Sequence, residues 1–389
     1  MTAQKVLFVT PFGERLSGSE GFLWTFLRHC DRERIDPLVV VLARGAFERE
    51  LEQIGVRSLA LEGGRLRQVR RTLSTIARLR AILRRERPEL IVDWISRAHL
   101  FGAPAALLAG MADRLLFWQH GLPAEASRLV VPDESLPSGP RLDRLVTLLP
   151  AKAVGTDSQA AAEAQRRLWP HRRTFAVLPG IDEPERAAPE AVAELRRTLA
   201  IPPERPVVGI VGRLQPWKAQ HRFIEALAAL RRDGYDVHGL IVGGDAHNLA
   251  PEYGPRLRRL AQELEIDRDI SFSGHVAEAA PYFQLMDVSV NASAREPFGL
   301  VLLESMALGV PVVAIDSGGP GEIIEQGLSG LLIPSNDPDH IAVAIAKLIR
   351  DPKLRSRIAE RARERYRSGF TAERMTEELQ QRLLDLGRD

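Results

Sequence analysis

The chain has 389 residues, 45% of them hydrophobic and 27% charged, with a formal net charge of +2. That length suits two domains, or three, each with its own core, and the near balance of charge gives no electrostatic case for a nucleic-acid partner. One cysteine, Cys30, excludes an intrachain disulfide and fits a reducing compartment.

The first apolar run, Val6 to Val9, ends in a Pro-Phe-Gly turn. It is too short for a secretory leader and reads as a buried strand. Further strands are expected at "PLVVVLA", "RSLAL", "ELIVDW", "RLLFW", "AVGTDS" and "FAVLP". Helical patterns lie between them, among them Glu20 to His29 and Leu66 to Glu86. In the second of these, Leu66, Val69, Leu73, Ile76, Leu79 and Leu83 follow helical spacing, so one face should pack on the core. The stretch "HLFGAPAALLAGMA" is too short to span a bilayer and contains Gly and Pro. The expected location is cytoplasmic.

The second half repeats the alternation with "PVVGIVG", "HGLIVGG", "DISFSG", "DVSVNAS", "VPVVAID" and "GLLIP". Continuous apolar strands joined by helices predict parallel sheets covered on both faces. The fold class is therefore α/β, with two doubly wound Rossmann-like domains. A Pro-, Glu- and Ala-rich stretch, Pro179 to Val192, separates them. The expected domains are 1–182 and 183–370, with a terminal helix over 371–389.

Ligands of open parallel sheets bind beyond the carboxyl ends of the strands. The loops that qualify are Gly13–Glu20, His120–Pro123, Gly212–Lys218, Gly243–His247, Gly274–Val276, Ser293–Gly299 and Ser317–Gly321. Within "SAREPFGLVLLESMALGVPVVA", Glu304 is the only carboxylate from Pro297 to Ala314, and Glu296 precedes it by eight residues. A lone glutamate in such a run is costly to bury unless something pairs with it. Pro297 suits a first helical turn, and Gly309 suits the end of the same helix. Eight helical residues rise about 12 Å, more than the roughly 5–9.5 Å between two carboxylates acting on one glycosidic bond. The pair fits two ends of an elongated ligand better than one bond.

Arg213 and Lys218 follow "GIVG" and precede a helix, an arrangement that suits an anion. Gly318, Gly319 and Gly321 allow backbone N–H groups to face a phosphate. Cations in the middle and carboxylates on either side describe a site for a nucleotide diphosphate sugar.

The motifs "GRLQPWK", "EPFGLVLLE" and "GGPGEII" followed by "GLSGLLIP" resemble the retaining glycosyltransferases of family 4, which have the GT-B fold with two domains facing a central cleft. The resemblance runs from about Val207 to Arg367 and is weaker in the first half. It implies that Arg213 and Lys218 bind the donor diphosphate and that Glu304 holds the ribose hydroxyls. Glu296 would hold the donor sugar, with backbone amides at Phe298, Gly299 and Leu300. The base would lie near His275 and Val276. In the first domain Gly18 matches a glycine loop facing the phosphates, and His120, in "WQHGLP", matches a histidine near the reacting sugar. His120, Glu296, Arg213 and Lys218 are thus the catalytic candidates, and the terminal helix is expected to cross back to the first domain.

The implied activity is a retaining hexosyl transfer in carbohydrate biosynthesis. The donor would be a nucleotide diphosphate sugar, with UDP favoured by family frequency. The acceptor hydroxyl belongs to a sugar, a lipid-linked sugar or a small molecule. No metal or other cofactor is expected, because Ser293–Gly299 contains no Asp-x-Asp and two cations face the diphosphate. The chain departs from the family pattern in three places. Ser17-Gly18-Ser19 stands where a Gly-Gly pair is usual, "VLPGID" lacks an Asn before its Gly, and Ala219 rather than Gly follows Lys218.

The arginines of residues 65–87 read as a solvated face. Contact with anionic lipid at the inner membrane surface, or with an anionic acceptor, stays open. Two rival readings are a nucleotide-sugar epimerase on a related fold and a catalytically silent sugar-nucleotide-binding protein. A dinucleotide oxidoreductase is disfavoured, since "TPFGERLSGSE" is not G-x-G-x-x-G.

Overall fold

A computed structural model of the protein describes residues 3–14, 18–64, 68–122, 145–245 and 250–388. Its contacts form two compact units. One takes the described residues up to Gly180 together with the chain from Ala372 onward; the other takes Ile181–Thr371.

The first unit holds a seven-stranded sheet of β1 (Gln4–Thr10), β2 (Ile35–Val41), β3 (Arg57–Ala60), β4 (Leu90–Trp94), β5 (Leu115–Gln119), β6 (Ala153–Thr156) and β7 (Arg173–Ala176). Its order is β3-β2-β1-β4-β5-β6-β7. The second holds β8 (Val207–Val211), β9 (His238–Val242), β10 (Ile270–Gly274), β11 (Val288–Asn291), β12 (Val312–Ile315) and β13 (Leu331–Ile333), ordered β10-β9-β8-β11-β12-β13. Every pairing in both sheets is parallel. Each apolar run read as a strand is one, and both sheets are doubly wound about their first strand.

The continuous apolar strands follow from two covered faces. Successive side chains of a strand point to opposite sides. Val6 and Phe8 of β1 enter one core with Trp94 and Trp118, while Leu7 and Val9 enter another with Leu79, Leu83 and Phe101. In the second unit Val208 and Ile210 of β8 face one core and Val207 faces the other. Each fully buried Val, Leu or Ile contributes about 1.5–3 kcal/mol.

The helix expected from Leu66 runs Val69–Glu86; Leu66 itself lies outside the described residues. Its apolar stripe is only partly used. Ile76, Leu79 and Leu83 are buried, but Val69 and Leu73 are 63% and 61% exposed. The first turn thus leaves its part of the apolar stripe uncovered among the described residues.

The last helix, Ala372–Arg388, packs in the first unit. Met375, Leu379 and Leu383 join the core of Val6 and Phe8. The Gln4 side-chain amide donates to the Leu383 carbonyl at 3.0 Å, and Arg34 pairs with Glu377 at 3.2 Å. Among the described residues no helix is long and apolar enough to cross a membrane.

Candidate active site

In the second sheet β8 and β11 are neighbours whose chains leave in opposite directions, β8 toward β9 and β11 toward β12. The crevice beyond such a pair is where doubly wound sheets bind ligands. The loop after β8 carries Arg213 and Lys218, and the loop after β11 carries Glu296.

The loop after β8 is held by its backbone. Leu214 N–H donates to the Gly244 carbonyl at 3.1 Å, and the Gln220 amide donates to the Arg213 carbonyl at 2.8 Å. A side chain at Gly243 would collide with the Gly212 carbonyl, so the loops after β8 and β9 meet backbone to backbone. A single 3-10 turn, Pro216–Lys218, leads to Ala219, which is left-handed at φ 55° and fully buried, and then to helix Gln220–Arg232. Lys218 Nζ lies 4.2 Å from the centre of the Trp217 ring.

Lys218 Nζ donates to Glu296 Oε2 at 2.6 Å. The Asn291 side-chain amide donates to the same oxygen at 3.1 Å. Burial raises the Glu296 carboxyl, but the Lys218 ammonium and hydrogen bonds from Asn291 and Ser293 outweigh it and hold the group below the usual carboxylate range. The backbone of Glu296 is fixed as well. Its carbonyl accepts from Gly319 N–H at 3.1 Å, which joins the loops after β11 and β12. A Cβ at Gly319 would overlap the Phe298 backbone, so glycine is required for this close approach.

The helix after β11 is shorter than the spacing predicts. It runs Leu300–Leu308, with Gly299 left-handed at φ 107° before it and Gly309 left-handed at φ 73° after it. Pro297 lies outside it. The eight residues from Glu296 to Glu304 are therefore not one helical rise, because Gly299 turns the chain between them. Phe298 is buried against Phe370, and Leu300 opens the helix, whose first amides have no intrahelical acceptor. Glu304 is half-buried and makes no side-chain hydrogen bond or ion pair among the described residues. Burial pushes its carboxyl up to about 7.

His275 is exposed and Val276 half-buried, directly after β10. The Gly243 N–H donates to the Gly274 carbonyl at 3.0 Å, and Gly244 lies against His275. Arg213, Lys218, His275, Val276, Glu296, Phe298, Gly299, Leu300 and the 318–321 loop thus share the carboxyl edge of one sheet.

Gly18 and His120 belong to the first unit. Gly18 opens helix Gly18–His29 rather than lying in a loop, and Trp94 Nε1–H fixes the turn by donating to the Ser19 carbonyl at 2.9 Å. Residues 15–17, including Ser17 of the expected phosphate loop, lie outside the described residues, as do Pro123 and His247. His120 directly follows β5, and its Nδ1 lies 3.0 Å from Asp157 Oδ2, directly after β6. Asp157 did not stand out in the sequence. The available signal was its place at the carboxyl end of "AVGT", one residue before Ser158, which caps the next helix through the Ala161 N–H. Asn291, the second anchor of Glu296, was hidden inside a strand reading.

The family model of group 1 glycosyl transferases matches residues 192–365. The D-inositol 3-phosphate glycosyltransferase of Corynebacterium urealyticum is 36% identical over 235 residues, 58% of this chain and 55% of that protein. The lipopolysaccharide core biosynthesis glycosyltransferase LpsE of Rhizobium meliloti is 34% identical over 186 residues, 48% of this chain and 52% of that protein. The chain therefore spans about half the length of the curated relatives it matches. Over nearly the whole chain, the crystal structure of Anabaena Alr3699/HepE in complex with UDP-glucose superposes with a TM-score of 0.82, at 26% identity and 98% and 99% coverage. Residues 192–365 thus match the group 1 glycosyl transferases, and the chain as a whole has the GT-B fold.

Proposed function

We propose that the protein is a retaining glycosyltransferase of family 4 that moves a hexosyl group from a UDP-sugar to an acceptor hydroxyl without a metal ion. The observation that carries this reading is the Lys218–Glu296 pair, with Arg213 on the same loop as Lys218, at the switch point of the second sheet. The UDP-glucose complex of the similar HepE protein and the glycosyltransferase names of the curated relatives support it.

Arg213 and Lys218 face the diphosphate and stabilise the charge that develops as it leaves. Glu296 accepts from hydroxyls of the hexosyl group, and Glu304 accepts from the ribose. The bond from the anomeric carbon to the diphosphate oxygen breaks while the acceptor oxygen bonds to the same face of that carbon. The acceptor proton passes to the departing phosphate oxygen. The products are the glycoside and UDP, with no covalent intermediate on the protein.

The test incubates the full chain with UDP-hexoses and a panel of sugar, polyol phosphate and lipid-linked acceptors. Acceptor-dependent UDP release, with a product of unchanged anomeric configuration by NMR, supports the reading. A new sugar nucleotide formed without acceptor supports an epimerase instead. Binding without any turnover supports a silent binding protein.

A further inference from the structure

Two histidine–aspartate pairs among the described residues of the first unit stand in different settings. His99 Nδ1 lies 2.9 Å from Asp93 Oδ2, both side chains fully enclosed, with His99 stacked 4.5 Å from Phe117. Gly102 leaves room for the Asp93 carboxyl. That pair ties β4 to helix Ser96–Ala109 inside the core. The pair of His120 and Asp157 stands instead at the carboxyl ends of β5 and β6, the edge where ligands of such sheets bind.

A carboxylate oxygen can only accept. At 3.0 Å from Asp157 Oδ2, a neutral His120 must carry its proton on Nδ1. The other tautomer would set two lone pairs against each other. Nε2 then keeps its lone pair, and it is buried with no hydrogen-bond partner among the described residues. A buried acceptor without a partner is costly; His99 Nε2 in the core shares that state, so it is the place at the carboxyl edge of the sheet that makes the His120 lone pair available to a ligand. The ring is packed against the rings of Trp94 at 4.8 Å, Phe22 at 5.9 Å and Trp118 at 6.4 Å, which oppose its rotation.

We infer that Asp157 is a positioning residue that holds His120 in the Nδ1–H tautomer, so that Nε2 is presented as a hydrogen-bond acceptor for a sugar hydroxyl at the carboxyl edge of the first sheet. The inference rests on the transferase reading above for the identity of the ligand. The tautomer follows from the pair itself. It also sets a polarity: His120 discriminates for a hydroxyl and against a bare phosphate oxygen, which offers no hydrogen.

The test is long-range ¹H–¹⁵N correlation on the full chain labelled at its histidines, with the His120 signals identified by their loss in His120→Gln. At mildly alkaline pH the expected pattern has a protonated Nδ1 and a bare Nε2. Adding UDP-glucose should shift Nε2 in the direction of an accepted hydrogen bond; UDP alone should not. Asp157→Ala should move the ring toward the Nε2–H tautomer and lower kcat by roughly tenfold or more, as misplaced tautomers do, with UDP affinity kept. Asp157→Asn can turn an amide N–H toward Nδ1, so it should likewise favour the Nε2–H tautomer and lower turnover. An Nε2–H tautomer in the wild type overturns the inference whatever the activity. So does an unchanged tautomer in Asp157→Ala, or an equal Nε2 response to UDP and UDP-glucose. Failure of all sugar transfer would defeat the transferase reading, and the tautomer would still decide the role of Asp157.

Discussion

Lys218 and Glu296, 78 residues apart in sequence, are joined by a 2.6 Å ion pair with only 16% and 6% of their side chains exposed. The cation assigned to the diphosphate and the carboxylate assigned to the sugar therefore neutralise one another. A change at either one alters the electrostatics of the other's ligand.

Glu296→Gln keeps the shape of the side chain and removes its charge. Lys218 then faces the diphosphate without a competing carboxylate, so UDP affinity should hold or rise. Turnover should fall by roughly 10²-fold, the scale of losing one preorganised electrostatic contact. Titration calorimetry with UDP and steady-state kinetics separate the two; equal loss of UDP binding and turnover contradicts the assignment. The pH dependence has a definite sign. The Glu296 carboxyl is held below its ordinary 4.5, so its contribution to stability is full above that value and is lost as pH falls through the folded-state value. Acid unfolding of Glu296→Gln should lack that component.

Gly319 tests the link between the loops after β11 and β12. Its own φ of −57° suits any residue, so a substitution acts through space alone. Gly319→Ala sets a methyl against the Phe298 backbone and displaces the N–H that holds the Glu296 carbonyl. The expected loss is about 1–3 kcal/mol in unfolding free energy, with kcat falling alongside. A variant with wild-type kcat and melting temperature would show that the loops adjust freely.

Glu304 gives the opposite pH signature. Burial raises its carboxyl from 4.5 to about 7, so the folded protein binds more protons than the unfolded chain between those values. Its contribution to stability falls as pH rises from 4.5 to about 7 and is constant above that. Glu304→Gln should remove this slope. The same substitution should weaken UDP binding by about 1.5–3 kcal/mol, the worth of hydrogen bonds to a charged group. Wild-type affinity for UDP should improve from pH 6 to pH 8 as the carboxylate forms. A pH-independent affinity that Glu304→Gln leaves unchanged removes Glu304 from the ribose.

The strands were legible because parallel sheets bury both faces, which makes runs such as "KVLFV" and "HGLIV" apolar throughout. The cations and carboxylates were legible because they stand just after those strands or in an apolar helix. What escaped were relations set by tertiary contact. Nothing in "AVGTDS" says that Asp157 meets His120, and nothing in "EPFG" says that the turn at Gly299 delays the helix to Leu300. The exposure of Val69 and Leu73 depends on what packs over their helix, which helical spacing alone cannot report.

Ala219 shows a departure whose backbone consequence is local. The residue after Lys218 is left-handed, the conformation that favours glycine, yet alanine occupies it with φ 55° and no exposure. Ala219→Gly relieves the left-handed geometry but loses a buried methyl and gains chain entropy when unfolded, so stability should stay within about 1 kcal/mol of wild type. Ala219→Val places a β-branched residue in a conformation it rarely adopts, inside a closed space, and should cost about 2 kcal/mol or more. Denaturant unfolding of the pair decides it; equal stability of Val and Ala at this position argues against a left-handed residue 219.

Many sugar-nucleotide enzymes offset the diphosphate charge with a divalent ion held by paired aspartates. Here Arg213 and Lys218 follow β8 at the switch point, and Ser293–Gly299 offers no Asp-x-Asp. Two fixed cations, with the amides that open helix Leu300–Leu308, can stabilise the departing diphosphate without a metal. Activity should therefore survive full chelation by EDTA. Arg213→Ala and Lys218→Ala should each lower turnover by roughly 10²–10³-fold. Lys218→Ala should also lower stability by about 3–5 kcal/mol, because it leaves the Glu296 carboxylate buried without its counterion. That stability loss should be recovered in the double variant Lys218→Ala with Glu296→Gln, while turnover stays low. Complete loss of activity on chelation, restored by Mg²⁺ or Mn²⁺, would overturn the cationic mechanism. Loss of stability in the double variant equal to that of Lys218→Ala alone would overturn the pairing that explains it.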